Sequence, residues 1–237
     1  FVVDKHRLQK CSNYHYRLLI VNWLIYAHKV LELSETTLFA AVRMFDHMLV
    51  ATQIPDKKYQ LVGITCMWIA SKLYDHYLIL VPKLFSLCSG KFSKYQIIST
   101  EKEILKVSSF NVNFPDPSTF LFYFLKEVGL ENDPKIRFSA MFVMEMFTFV
   151  LEYTSSSPSL LAASALFIAL CQNGRDYLPF LKYVHSCLTD VVIFKNYTKL
   201  MWFSIKQVLK TTVTSNEIVA KYSVQDKLNV AQLFSPL

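Results

Sequence analysis

Two segments of this chain are apolar around their whole circumference, and they align with each other without a gap. LVGITCMWIAS starts at Leu61 and LLAASALFIAL starts at Leu160, an offset of 99 residues. A helix that is apolar on every side has no face for water, so other helices must surround it. Two such helices at a fixed offset predict a repeat in which each copy has its own central buried helix.

The composition and the spacing of helix-start signals support a helical repeat. Hydrophobic residues make up 53% of the chain and only 4 of 237 residues are Gly, which favours helices with short connections. The start signals are Ser12 or Asn13, Ser34, Pro55-Asp56, Ser93 with Gln96, Asp116-Pro117, Asp133-Pro134, Ser157-Pro158 and Thr189. The segment FNVNFPDP, residues 110–117, interrupts this pattern. We therefore predict five helices in a domain of residues 1–112 and five more, with a tail, in residues 113–237.

Charge and residue usage exclude several classes of protein. The net charge is +7, and residues 1–112 carry +6 of it, so we expect an acidic partner for that half. The sequence has no dense Lys/Arg cluster of the kind that binds along a phosphate backbone. No apolar run reaches the ~18 residues that a membrane span needs. Five cysteines without paired spacing are typical of a reduced intracellular protein, with Cys66 and Cys171 as small core residues. We expect no nucleic acid or membrane partner.

No constellation of residues indicates catalysis. The six histidines are dispersed, and there is no metal-ligand cluster, no Gly-rich phosphate loop and no nucleophile beside a base. The sequence therefore predicts a protein that is not an enzyme and that holds no metal or other cofactor.

Lys72 stands at the C-terminal end of the first apolar segment, where two interpretations are open. The lysine can complement the helix dipole and extend its ammonium to water. Alternatively, it lies at the rim of the core because a partner contacts it there.

Glu101 is out of place by pattern, since it shares a helical stripe with Ile97, Ile104 and Leu105. A buried carboxylate needs a partner. The alternative is a surface glutamate paired with the neighbouring Lys102 or Lys106, which the sequence alone leaves equally open.

Several spaced motifs in the same order resemble the cyclin family. YRLLIVNWL (16–24) is similar to the M-R-A-I-L-V-D-W-L signature that opens the first cyclin box. The other matching segments are LFAAVRMFDHML (38–49), YQLVGITCMWIASKLYD (59–75), Phe120-Leu121, the P-S-x-x-A-A-x-A segment (158–165) and EIVAKY (217–222). The resemblance spans about residues 14 to 223 and is greatest to A- and B-type cyclins. It implies an all-α fold of two tandem five-helix cyclin-box repeats, each around a central buried helix.

The resemblance also implies a regulatory function. Cyclins are subunits that bind and activate a cyclin-dependent serine/threonine kinase and help to select its substrates in cell-cycle control, and the resemblance implies a location in the nucleus, the cytoplasm or both. The residues matching Lys72 and Glu101 bond to the kinase backbone near its mobile αC helix. Ile69, Leu73 and Leu105 would be apolar neighbours in that interface, although the family usually has Phe where Leu73 stands.

Two further sets of residues follow from the resemblance. Arg17 and Asp46 match a buried structural ion pair between the first two helices. A substrate-docking patch for R-x-L peptides would comprise Tyr16, Leu19, Ile20, Trp23, Tyr26 and Gln60. Tyr16 stands where the family has Met, and Tyr26 stands where it has the acid that pairs with the peptide's Arg. Core packing is the alternative, which we favour for Leu19 and leave open for Trp23.

Other proteins with the same two-repeat plan remain alternatives. A DNA-binding factor of the transcription factor IIB type would carry basic helices that face DNA, and the net charge of only +1 in residues 113–237 argues against it. A transcription-linked or a viral cyclin is the other alternative.

Overall fold

The computed structural model describes residues 14–77, 79–187, 190–211 and 216–234. Within these ranges the regular structure is α-helix and short 3-10 helix, without a β-strand, and the predicted all-α fold is confirmed. The chain divides into two compact units, Phe1–Pro115 and Asp116–Leu237. This division falls three residues after the boundary that the sequence predicts.

The first unit is built around one helix. Its helices are α1 (Tyr14–Leu31), α2 (Glu35–Ala51), α3 (Tyr59–Tyr74), α4 (Val81–Leu87) and α5 (Lys94–Val107). The central helix is α3, which packs against α1, α2 and α5. Its residues from Leu61 to Met67 are all buried, as an all-round apolar sequence requires.

The second unit repeats this plan and adds a tail. Its helices are α6 (Pro117–Glu127), α7 (Pro134–Phe147), α8 (Pro158–Gln172), α9 (Leu178–Cys187), α10 (Val191–Thr211) and the tail helix α11 (Glu217–Tyr222). Here α8 is central and packs against α6, α7, α9 and α10. The predicted central buried helix is therefore confirmed for both units, with three helices packed against it in the first unit and four in the second. The short 3-10 helices are Asp56–Lys58, Leu151–Ser155, Gln225–Lys227 and Val230–Phe234.

Side-chain caps confirm several predicted helix starts. Ser93 and Gln96 form a reciprocal capping box at α5, and the Asp116 and Asp133 carboxylates accept backbone N–H bonds at α6 and α7. Ser34 and Ser157 occupy the N-cap positions of α2 and α8 without a side-chain bond to the backbone.

Other helix starts differ from the sequence prediction or lie outside the described residues. Pro55-Asp56 opens a 3-10 turn, and the α-helix itself begins at Tyr59. At α10 the carboxylate of Asp190 accepts bonds from the backbone N–H groups of Val192 and Ile193, so Asp190 caps the helix. The predicted caps Ser12, Asn13 and Thr189 lie outside the described residues.

One glycine allows the central helix of the first unit to approach α1. A Cβ atom on Gly63 would lie 2.9 Å from Cγ2 of Ile20 and 3.6 Å from Cδ2 of Leu24. Cys66, on the same helix, is fully buried as predicted. The prediction that Cys171 is a core residue is wrong: Cys171 is exposed in the last turn of α8, which ends at Gln172.

Candidate functional site

Lys72 and Glu101 form an ion pair between two helices. Nζ of Lys72, in the last turn of α3, contacts Oε1 of Glu101 in the middle of α5. The two side chains are 29% and 17% exposed, so the pair lies at the edge of the core. The structure thus decides between the two interpretations of Glu101, because its partner is Lys72 and not a lysine on its own helix.

Trp68 is a third member of this cluster, which the sequence analysis missed. Nζ of Lys72 lies 3.7 Å from the centroid of the Trp68 ring, one turn back on α3. The indole Nε1 donates a hydrogen bond to the carbonyl oxygen of Ile79 at 3.2 Å, which fixes the ring. A cation over an indole face is attracted to it electrostatically. The (i, i+4) spacing of Trp68 and Lys72 is the sequence signal that could have revealed this contact.

Apolar side chains flank the ion pair, but not all of those predicted. Leu73 is 50% exposed and Leu105 is half-buried, so both present apolar surface beside the pair. Ile69 is only 3% exposed and belongs to the core, so its predicted place in a partner interface is not available to it. An all-round apolar helix gives no sequence signal for which of its sides lies at the surface.

The pair retains hydrogen-bonding capacity. Among the described residues, Lys72 uses one of its three N–H donors on Glu101, and Glu101 accepts with one of its two oxygens. The cluster of Lys72, Glu101, Trp68, Leu73 and Leu105, which we call the α3–α5 site, therefore presents both donors and an acceptor within an apolar rim. That combination suits the backbone of another protein better than a small charged ligand.

Arg17 and Asp46, the predicted structural pair, are in contact. Nε of Arg17 donates to Oδ1 of Asp46 at 2.7 Å, and Nη2 donates to Oδ2 at 2.9 Å. Both side chains are completely buried, and they join α1 to α2. Neither the guanidinium nor the carboxylate reaches the surface, so the pair stabilises the fold and is not available to a partner.

The predicted docking residues of α1 lie on one side of that helix. Leu19 is 52% exposed, and Tyr16 and Tyr26 are each 42% exposed, so the favoured prediction of core packing for Leu19 is wrong. The half-buried members are Ile20, Trp23 and, from α3, Gln60. Positions 16, 19, 23 and 26 follow the spacing of one helix face. We call these six residues the α1 patch.

A buried carboxylate that the sequence analysis missed holds the tail of the second unit. Glu145 in the middle of α7 is fully buried; its Oε1 accepts from Nζ of Lys221 at 2.6 Å and from the hydroxyl of Tyr222 at 2.8 Å. Asn216 caps α11 through bonds to the N–H groups of Ile218 and Val219. The signal in the sequence was a lone Glu within the apolar segment MFVMEMF.

Two other kinds of feature are absent from the described part of the chain. No helix there is long and apolar enough to cross a bilayer. No group of three or more His, Cys, Asp or Glu side chains is arranged to hold a metal ion.

Comparison with known proteins identifies the family to which the chain belongs. Residues 2–113 match the family model described as "Cyclin, N-terminal domain", and residues 115–236 match "Cyclin, C-terminal domain". Cyclin-B2-1 of Oryza sativa subsp. japonica is 34% identical over 159 residues, which cover 67% of this chain and 37% of that protein. The G2/mitotic-specific cyclin-B3 of Gallus gallus is 33% identical over 177 residues, covering 74% and 43%. The chain therefore belongs to the cyclin family and resembles B-type cyclins, and it matches about two fifths of the length of these relatives.

Solved structures share the fold. A viral cyclin from herpesvirus saimiri superposes with a TM-score of 0.76 at 19% identity, covering 83% of this chain and 87% of that one. A chain of the CAK complex from Chaetomium thermophilum bound to ATP-gamma-S gives a TM-score of 0.54 at 13% identity, covering 93% and 73%. At these identities the likeness concerns the fold alone.

Proposed function

We propose that this chain is a regulatory subunit that binds and activates a cyclin-dependent protein kinase through the α3–α5 site. The observation that carries the proposal is the Lys72–Glu101 pair at the edge of the core. These two residues match the positions that cyclins use to contact the kinase backbone. Membership of the cyclin family and similarity to B-type cyclins support a regulatory role. We further propose that this role lies in cell-cycle control, in the nucleus, the cytoplasm or both.

The geometry of the site suits a protein partner. A surface ion pair of this exposure contributes only about 0–1 kcal/mol to folding, so stability alone gives little reason for it. The apolar rim of Leu73 and Leu105 supplies area that a partner helix can cover, and the remaining polar atoms of the pair can bond to its backbone. Leu73 offers less area than the Phe that is usual there, and Trp68 adds rigidity behind the lysine.

The proposed mechanism is a population shift in the kinase. The cyclin binds the kinase conformation in which the αC helix is swung inward, and this differential affinity moves the equilibrium toward it. In that conformation the kinase completes the Lys–Glu ion pair that positions the ATP phosphates. The chain itself contributes binding free energy and no catalytic group.

The test compares two double variants on a panel of monomeric cyclin-dependent kinases. Lys72→Ala with Glu101→Ala removes the proposed contacts. As a control, Lys102→Ala with Glu103→Ala also removes one lysine and one glutamate, but from exposed positions on α5. We expect the first variant to lose at least about tenfold in kinase activation, equivalent to ~1.4 kcal/mol, and the control to retain it. Circular dichroism should show both variants folded.

Two outcomes would count against this function. Full activation by the Lys72/Glu101 variant would show that the ion pair is structural and that the kinase contacts another surface. Failure of the unmodified chain to bind any kinase, together with DNA binding that weakens steeply with salt, would favour a factor of the transcription factor IIB type.

The α1 patch supports a second role, which is substrate docking. Leu19, Tyr16 and Tyr26 expose apolar surface on one helix face, and Ile20 and Trp23 form its half-buried floor. Tyr26 carries no charge where an acid would pair with the Arg of an R-x-L peptide. We therefore propose that the patch binds the apolar part of such peptides and discriminates little at the Arg position.

Peptide titration tests this role. A labelled peptide containing R-x-L and the same peptide with A-x-L should bind with affinities within about threefold, which is below ~0.7 kcal/mol. Leu19→Ser should weaken both peptides. A preference of tenfold or more for the Arg peptide would show that another acid replaces the missing one, and equal binding by Leu19→Ser would place the peptides elsewhere.

A further inference from the structure

The outer face of α10 combines exposed apolar residues with lysines. The inner face is fixed within the unit: Phe194, Met201 and Ile205 are buried, and the Thr198 hydroxyl donates to Ser164 of α8 at 2.9 Å. The opposite side therefore faces solvent. There Val192 is 63% exposed, Ile193 55%, Leu200 40% and Phe203 64%.

The charge of α10 has a single sign. Residues 191–211 contain Lys195, Lys199, Lys206 and Lys210 and no Asp or Glu, although residues 113–237 as a whole carry only +1. All four lysines are exposed, and none forms an ion pair among the described residues. Lys206 lies 4.7 Å from the ring centroid of Trp202, which holds it against the helix.

The lysines and the apolar residues are arranged in separate rows. At 3.6 residues per turn, Lys195, Lys199 and Lys206 lie along one edge of the exposed face, and Ile193 and Leu200 lie along the other. Val192 and Phe203 lie between them, about 16 Å apart along the axis. We call Val192, Ile193, Leu200, Phe203, Lys195 and Lys199 the α10 face.

We propose that the α10 face binds an acidic peptide segment of a partner protein, with apolar side chains on Phe203 and Leu200 and carboxylates along the lysine row. Charge complementarity carries this assignment, because four exposed lysines on a helix that contains no Asp or Glu attract an anionic segment. The aliphatic row beside them matches the apolar side chains of a peptide and offers nothing to phosphates. The proposal goes beyond kinase activation and involves a different unit of the chain.

Two other occupants fit the same face less well. A second copy packed symmetrically through α10 would add four more lysines to the contact and no Asp or Glu of that helix, so the lysine charges would stay uncompensated. A helix that lies on an anionic membrane inserts its main apolar face into the lipid. In α10 that face is buried against the rest of the unit, and the lysines line only one edge of the exposed side. Both occupants remain measurable outcomes of the test.

The experiment is a selection of phage-displayed random 12-residue peptides on the immobilised 237-residue chain. The enriched peptides are then synthesised with a fluorescein label, and their affinities are measured by fluorescence anisotropy at about 0.15 M salt. We expect enrichment of Asp and Glu together with Leu, Phe or Trp. Lys195→Glu with Lys199→Glu, and separately Phe203→Ser, should each weaken binding by about tenfold or more.

Matched controls come from the same unit. Lys126→Glu with Lys135→Glu changes the charge equally at exposed positions on α6 and α7, and Phe122→Ser removes a ring that is 60% exposed on α6. Neither control should change peptide affinity more than about twofold. This comparison uses no kinase, so its result is independent of the proposed kinase activation.

Several results would overturn the proposal. These are failure to enrich acidic peptides and equal loss of acidic-peptide binding in the control variants. Binding to phosphatidylserine vesicles without binding to acidic peptides would assign the face to a membrane. A dimer that Phe203→Ser dissociates would assign it to a second copy.

Discussion

Arg17 and Asp46 form a two-bond ion pair that is sealed from solvent, with Nε–Oδ1 and Nη2–Oδ2 distances of 2.7 Å and 2.9 Å. The pair links α1 to α2, and both side chains are 0% exposed. In a low-dielectric interior, each charge is tolerated only because the other is present. The alignment of the first two helices therefore depends on both residues together.

Loss of one partner of this pair should be costly. We expect Arg17→Met to lower the free energy of unfolding by about 3–5 kcal/mol, because Asp46 is left buried without its cation. Adding Asp46→Leu should restore much of the loss, since no buried charge then remains. Urea unfolding followed by circular dichroism measures both variants, and a double variant as unstable as the single one would attribute the loss to packing.

The tail of the second unit should depend on Glu145 in the same way. Lys221→Met leaves the Glu145 carboxylate buried with only the Tyr222 hydroxyl as a donor among the described residues, at a cost of about 3–5 kcal/mol. We expect faster hydrogen exchange of the α11 amides in Lys221→Met than in a Lys126→Met control, which changes an exposed lysine. If adding Glu145→Gln fails to restore protection, the lysine acts by packing and not by charge.

Gly63→Ala should destabilise the first unit despite the higher helix propensity of alanine. The gain of about 0.5–1 kcal/mol from propensity is offset by overpacking, since the new Cβ would meet Cγ2 of Ile20 at 2.9 Å. We expect a net loss of roughly 1 kcal/mol in thermal or urea unfolding. Combining Gly63→Ala with Ile20→Ala should relieve the overlap, so the two changes should be less than additive. Strict additivity would contradict this contact.

Cys66 should make stability fall at high pH. Burial, together with the nearby Asp46 carboxylate, raises the pKa of the Cys66 thiol, so the folded chain keeps this proton at a pH where the unfolded chain loses it. The unfolding free energy therefore decreases as pH rises above the ordinary thiol pKa of about 8.5. Cys66→Ala should flatten this decline, measured as the slope of unfolding free energy between about pH 8 and pH 10. An unchanged slope would contradict the assignment.

Local sequence signals were sufficient for the presence of the helices and for several of their starts. The Ser93–Gln96 capping box and the Asp116 and Asp133 caps act over three residues, so their geometry is set by neighbouring backbone N–H groups. The alignment of Leu61 with Leu160 was enough to predict a repeat, because an all-round apolar helix can be stable only when others surround it. The sequence therefore determined the fold class, the two-unit plan and the family.

The tertiary structure decided which side chains meet and which reach the surface. Lys72 and Glu101 are 29 residues apart, and Glu145 and Lys221 are 76 apart, so no helical spacing relates them. Hydropathy did not distinguish buried Ile69 from exposed Leu19, since both are aliphatic residues within apolar helices. The number and position of the packed neighbours set burial, and only the assembled helices supply those neighbours.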